Sequence, residues 1–89
     1  MLMNKLTEAI DDLTKAVHLN PNFPQAYAQK YWADYLYAIS TINMHKMEEL
    51  IKSLEKATQK FSKCHTLYCL YAKVNIGYLF LEVKQNTIL

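Results

Sequence analysis

The sequence contains no arginine, a single glycine, two prolines and two cysteines, and its apolar residues never run long enough to cross a bilayer. Each shortage excludes something. Arginine supplies the planar fork that grips phosphates, base edges and carboxylates. All ten basic residues here are lysine, so nucleic acid is not expected as a partner. One glycine is too few for the tight turns of an all-β fold. A spanning helix needs about 20 apolar residues in succession; the stretch from Tyr68 to Leu81 is shorter and interrupted by Lys73 and Asn75, so it reads as a core helix. Met1-Leu2-Met3-Asn4 has neither the apolar region nor the small-residue cleavage site of a signal peptide. Cys64 and Cys69 fall on different faces of a helix, which makes a disulfide between them unexpected and points to reduced, partly buried thiols.

What is present points to helices. Apolar residues make up 52% of the 89 and charged ones 20%, too apolar a balance for disorder. The net charge is only +2, and the lysines alternate with Asp and Glu as on solvated helix faces. Leu6, Ala9, Ile10, Leu13, Ala16 and Val17 recur at helical spacing, which predicts a first helix over 5–19. Asn20-Pro21-Asn22-Phe23-Pro24 ends it, and Pro24 suits the first turn of a second helix, over 24–42. That helix is crowded with Tyr27, Tyr31, Trp32, Tyr35 and Tyr37, so packing must hold it. Thr41 or Asn43 can cap a third helix over 44–61, striped by Met47, Leu50, Ile51, Leu54, Ala57 and Phe61. After a break at Ser62–His65, Leu67, Leu70, Tyr71, Val74 and Tyr78 predict a fourth helix over 65–80. Gly77 is expected to weaken or end it, and the tail 81–89 has no firm period.

Two of these segments match each other. Ala9, Leu13, Ala16, Leu19 and Pro21 carry the small–large–small spacing of the second helix of a tetratricopeptide repeat. Leu50, Leu54 and Ala57 repeat it, with Ser62 where proline is expected. Tyr27 and Tyr68 open the aromatic helices that follow, and Ala72 belongs to the same signature. Ala16 and Ala57 hold equivalent places, a spacing about two helical turns longer than the usual repeat. Two extra turns of helix or a longer loop near Ile39–His45 would absorb the difference. The expected fold is therefore all-α, about four helices in tetratricopeptide-like hairpins, one partial repeat domain spanning 1–89 cut from an α-α superhelix.

Several stretches then suggest a family: Ala16-Val17-His18-Leu19-Asn20-Pro21-Asn22-Phe23, Ala26-Tyr27-Ala28-Gln29-Lys30, Lys60-Phe61-Ser62-Lys63-Cys64 and Leu70-Tyr71-Ala72. With the long spacing, Ala9–Lys73 resembles the C-terminal repeats of the tetratricopeptide import receptors of the mitochondrial outer-membrane translocase. The resemblance stops near Lys73; Val74–Leu89 departs from it, which suggests a truncated or alternatively spliced product. In that family, N-terminal repeats hold the acidic tails of cytosolic chaperones, C-terminal repeats hold internal targeting signals of hydrophobic preproteins, and an N-terminal helix anchors the receptor. The resemblance implies preproteins or other translocase subunits as partners, on the cytosolic face of the outer membrane, or the cytosol for the isolated chain. The chaperone-tail clamp is not expected, because its places hold Ala28, Gln29, Trp32, Thr66, Cys69, Leu70 and Lys73, of which only Lys73 could pair with a carboxylate.

First helices of such repeats line the concave surface where partners bind. That register makes Gln25, Ala28, Trp32, Tyr35, Cys69 and Lys73 the candidate peptide groove, with Trp32 and Tyr35 as rigid contacts. Packing between helices is the competing role for the tyrosines. His18, His45 and His65 lie in separate segments, and Cys64-His65 lacks an orienting acid and an oxyanion donor. Neither a catalytic site, a metal site nor a cofactor is expected. The sequence thus points to a preprotein-binding module, with a general repeat scaffold lacking any import role as the alternative. So short a stack also leaves apolar faces open to self-association, since about three repeats are needed to bury them.

Overall fold

A computed structural model describes the backbone of residues 2–88 and the side chains of residues 5–84. The chain is all-α and forms two helical hairpins of tetratricopeptide-like arrangement. The helices are α1 (Leu2–Leu19), α2 (Pro24–Thr41), α3 (Met44–Lys60) and α4 (His65–Ile88). Met1 and Leu89, and the side chains of residues 2–4 and 85–88, lie outside the described residues.

The two hairpins repeat each other bond for bond at their turns. Helices α1 and α3 end at Leu19 and Lys60, and α2 and α4 begin at Pro24 and His65. Both pairs keep the offset that relates Ala16 to Ala57. The Asn20 N–H donates to the Ala16 carbonyl at 3.0 Å, and the Phe61 N–H to the Ala57 carbonyl at 2.8 Å. One step on, the Phe23 N–H reaches the Asn20 carbonyl at 3.2 Å and the Cys64 N–H the Phe61 carbonyl at 3.0 Å. The proline of the first turn is therefore dispensable in the second, because the backbone closes the same turn around Ser62. Lys60 ties the turns together, its Nζ donating to the Pro21 carbonyl at 3.0 Å.

The turn between α2 and α3 decides between extra helical turns and a longer loop. Ile42 and Asn43 alone separate the helices, so the residues beyond the usual repeat length sit in the helices and not in a long loop. Ile42 takes the left-handed conformation at φ 51°, where glycine is the usual residue. Its N–H bonds the Ile39 carbonyl, and the Asn43 N–H bonds the Ala38 carbonyl. Asn43 is the cap of α3, its Oδ1 accepting from the Lys46 N–H at 3.0 Å. Thr41 turns back instead, donating to the Tyr37 carbonyl at 2.9 Å.

Helix α1 packs on α2 and α3 on α4, while α2 also touches both α3 and α4. The contact residues of α2 are accordingly small: Ala26, Ala28, Ala33 and Ala38 are its buried apolar residues, and small side chains let helix axes approach. The large core residues come from α3 and α4, with Met47, Leu54, Leu67 and Val74 fully buried. Each contributes about 1.5–3 kcal/mol by leaving water. Tyr27, Tyr31, Tyr35 and Ile39 pack around that core.

Two expectations are corrected. The fourth helix does not end near residue 80; it continues through Gly77 to Ile88. Gly77 is there for space, since a Cβ at this position would lie 2.6 Å from the Tyr35 hydroxyl. And Leu19, expected to pack as part of the repeat signature, is 86% exposed, because among the described residues α1 packs on α2 alone. For the same reason Ala9, Leu13 and Ala16 are only half-buried, whereas Leu50, Leu54 and Ala57 are buried between α2 and α4. Pro21, Tyr68 and Ala72 are also exposed.

Candidate peptide groove

Helices α2 and α4 lie side by side and run in the same direction, as successive contacts show. Ala28 lies beside Cys69 and Leu70, Trp32 beside Lys73, and Tyr35 over Gly77. The residue at each step on α2 thus meets one about a repeat length further along, on α4. Between them opens a shallow concavity of about 230 Å³, lined by Ala28, Trp32, Thr66, Cys69, Leu70 and Lys73. This is smaller than the roughly 300–1,000 Å³ of enclosed small-molecule sites, and it suits one or two side chains of a longer ligand.

Four of the six sequence-derived groove residues meet here: Ala28, Trp32, Cys69 and Lys73. Trp32 is its wall, 42% exposed, with the Lys73 Nζ 5.6 Å from the ring centroid. At an exposed site such a cation over an indole face contributes about 0.5–1 kcal/mol. The contact brings the ammonium and the indole together on the same concavity. Cys69 is exposed and Ala28 is buried at the floor. Two expected members stand apart. Gln25 is exposed before the first turn of contacts and does not line the concavity. Tyr35 is half-buried. Its ring stands 5.7 Å from that of Trp32, and its outer end covers Gly77. It supports the wall and packs the helix pair. Thr66 and Leu70 complete the lining; the sequence reading names both at clamp positions but does not count them among the groove residues. Their spacing from Cys69 and Lys73, one helical turn, is the signal that finds them.

The remaining polar chemistry is structural. Asp34 is buried and accepts from the Lys30 Nζ at 2.9 Å. Tyr31 beside it has its pKa raised above the usual 10.0, first by burial and then by Tyr27 and Asp34. The Tyr78 hydroxyl donates to Glu48 Oε1 at 2.8 Å and joins α4 to α3; that bond raises the Tyr78 pKa as well. His45 pairs with Glu49 at 3.0 Å on the open surface of α3, far in sequence from His18 and His65. Cys64 packs against the core. Among the described residues, no three His, Cys, Asp or Glu side chains are grouped to hold a metal ion. No helix there is long and apolar enough to cross a membrane.

The groove is walled by one tryptophan and lies between the two parallel helices of a repeated hairpin. The chain is similar to mitochondrial import receptor subunit TOM70. It is 33% identical to that protein of Rattus norvegicus and of Mus musculus, and 32% identical to that of Homo sapiens. Each match covers 73 residues, 82% of this chain and 12% of the relative. The chain therefore spans about an eighth of the length of these relatives. No family model matches the chain, and no solved structure matches it.

Proposed function

We propose that the chain is a non-catalytic binding module that takes an apolar or amphipathic peptide segment into the groove between α2 and α4. One observation carries this reading: Trp32 and Lys73 converge from two parallel helices on a concavity floored by Ala28 and Leu70. Aromatic residues in this setting offer rigid contact area at small entropic cost, and the ammonium beside the indole favours a polar or acidic flank on the ligand. The likeness to an import receptor subunit supports hydrophobic mitochondrial preproteins, or other translocase subunits, as partners at the outer membrane's cytosolic face. The chaperone-tail clamp has no support, since Lys73 is the one cation that lines the concavity.

Anisotropy titration of labelled carrier-derived targeting peptides against the chain and its Trp32→Ala variant tests this. Losing a groove anchor typically costs about 1–2 kcal/mol or more, so the variant is expected to bind about tenfold or more weakly. Absence of binding by the unmodified chain removes the import reading. Equal binding by both proteins moves the site away from Trp32. The exposed apolar face of α4 favours a second reading, a general repeat scaffold whose partner is another folded protein. That reading predicts that such peptides do not bind.

A further inference from the structure

The charges of α2 and α4 are unevenly placed around the groove. Helix α2 carries only Lys30 and Asp34. Each stands two residues from Trp32, which on a helix is the far side. They pair with each other at 2.9 Å and line a separate concavity that α2 forms with α1 and α3. On α4 the one carboxylate is Glu82. It follows Lys73 by about two and a half helical turns and so leaves the helix on the opposite side. Lys84 follows by about three turns, on the same side as Lys73, and its Nζ is 5.5 Å from the Phe80 ring centroid. Among the described residues the groove therefore holds positive charge and no acid.

Lys73 has that charge to offer. The ion pairs among the described residues, Lys30–Asp34 and His45–Glu49, leave it out. Its Nζ rests 5.6 Å from the Trp32 ring centroid, and an ammonium has three donors, so the ring face occupies one direction and leaves others for an acceptor. A ligand side chain that fills the concavity against Trp32, Leu70 and Ala28 lies beside this ammonium. Thr66, at the other end of the lining, is about 10 Å from Lys73 along α4, the reach of about three extended residues. Whatever pairs with Lys73 thus belongs to the same short segment as the apolar side chain.

We infer that Lys73 is the specificity-determining residue of the groove. The ligand places an apolar side chain against Trp32 and an acidic residue, within two positions of it, on the Lys73 ammonium; segments that bring a lysine or arginine there are rejected. This rests on the reading of the groove as the peptide site and adds the ligand's charge to it. One cation pairs with one carboxylate, so the fit is to an apolar segment with a single acidic neighbour. A run of acids finds no further partner in the concavity, and a basic amphipathic helix is repelled. Because Lys73 is exposed, the pair adds little affinity and acts mainly in discrimination.

Three labelled peptides test it. They share an uncharged leucine–phenylalanine–leucine centre without tryptophan and differ in a glutamate, a glutamine or a lysine two positions from the phenylalanine. Fluorescence anisotropy measures each against the chain, Lys73→Met, Lys73→Glu and Trp32→Ala, and circular dichroism checks that each variant is folded. The chain is expected to bind the glutamate peptide about two- to fivefold more tightly than the glutamine one and the lysine peptide most weakly, with the differences shrinking as salt is added. Lys73→Met is expected to bind all three alike. Lys73→Glu is expected to reverse the order, which loss of the ring contact alone does not produce. If Trp32→Ala weakens all three peptides, equal binding of the three by the chain, or an unchanged order in Lys73→Glu, overturns this inference and leaves the groove reading standing. Binding of none of the peptides, or binding that Trp32→Ala leaves unchanged, overturns the groove reading and this inference with it.

Discussion

Gly77→Ala measures how closely α2 and α4 approach beneath the groove. In an open helix this change stabilises by about 1 kcal/mol, since alanine is the better helix former. Here the new methyl group would lie 2.6 Å from the Tyr35 hydroxyl and 2.9 Å from its ring carbon Cε1. The hydroxyl is the far end of the side chain, but the ring carbon can retreat only if the whole ring swings. Tyr35 is held by Trp32 at 5.7 Å and by the core. Overpacking of this kind costs about 1–3 kcal/mol. The expected net effect is thus a loss of roughly 0–2 kcal/mol. In a Tyr35→Leu background the obstruction is gone, and the same change should stabilise by up to about 1 kcal/mol. Urea unfolding followed by far-UV circular dichroism gives the four free energies, and their coupling should be about 1–3 kcal/mol. Equal stabilisation by Gly77→Ala in both backgrounds would refute the packing of Tyr35 on Gly77.

Ile42→Gly should stabilise the chain by about 0.5–1 kcal/mol: the left-handed conformation costs a β-branched residue roughly 1–2 kcal/mol, partly offset by the extra unfolded freedom of glycine. Thermal unfolding checks this, and destabilisation would show that the φ of 51° is not strained. Asn43→Ala should cost about 1 kcal/mol through the lost cap of α3, with Asn43→Asp retaining most of it. Tyr31 and Tyr78 have their pKa values raised above 10.0 in the fold, Tyr31 chiefly by burial and Tyr78 by its bond to Glu48. Their contribution is therefore complete below pH 10 and is lost as pH rises through the raised values. Ultraviolet titration checks the directions: Tyr78→Phe and Tyr31→Phe should each remove one of the raised steps.

The pattern of α1 and α3 was legible because each has one apolar stripe with a polar back, and a turn marked by proline or cap residues. The repeat register followed from Ala9, Leu13 and Ala16 against Leu50, Leu54 and Ala57, with Tyr27 against Tyr68, and it placed Trp32 opposite Lys73. The extent of α4 was not legible. Its sequence is apolar on all sides, so periodicity fades after Tyr78, and Gly77 carries the same letter whether it breaks a helix or makes room for a ring. Tyr35 misled for a related reason: whether a tyrosine lines a groove or packs across a helix pair depends on what faces it, here a glycine two helices further along the chain. Leu19 fits the repeat signature, yet the signature assumes a neighbour on both sides of α1, and α2 is on one side only. Thr66 and Leu70 were named as clamp positions, but they were left out of the groove residues because the groove was sought among aromatic and charged side chains.

Trp32, at the proposed peptide site, is the single tryptophan in the chain. Its emission, followed while a saturating carrier-derived targeting peptide without tryptophan is added, reports that site directly. Saturable binding with a blue shift, as the peptide displaces water from the indole, is the predicted result. Peptide binding that leaves the emission unchanged, or no binding at all, would contradict the account.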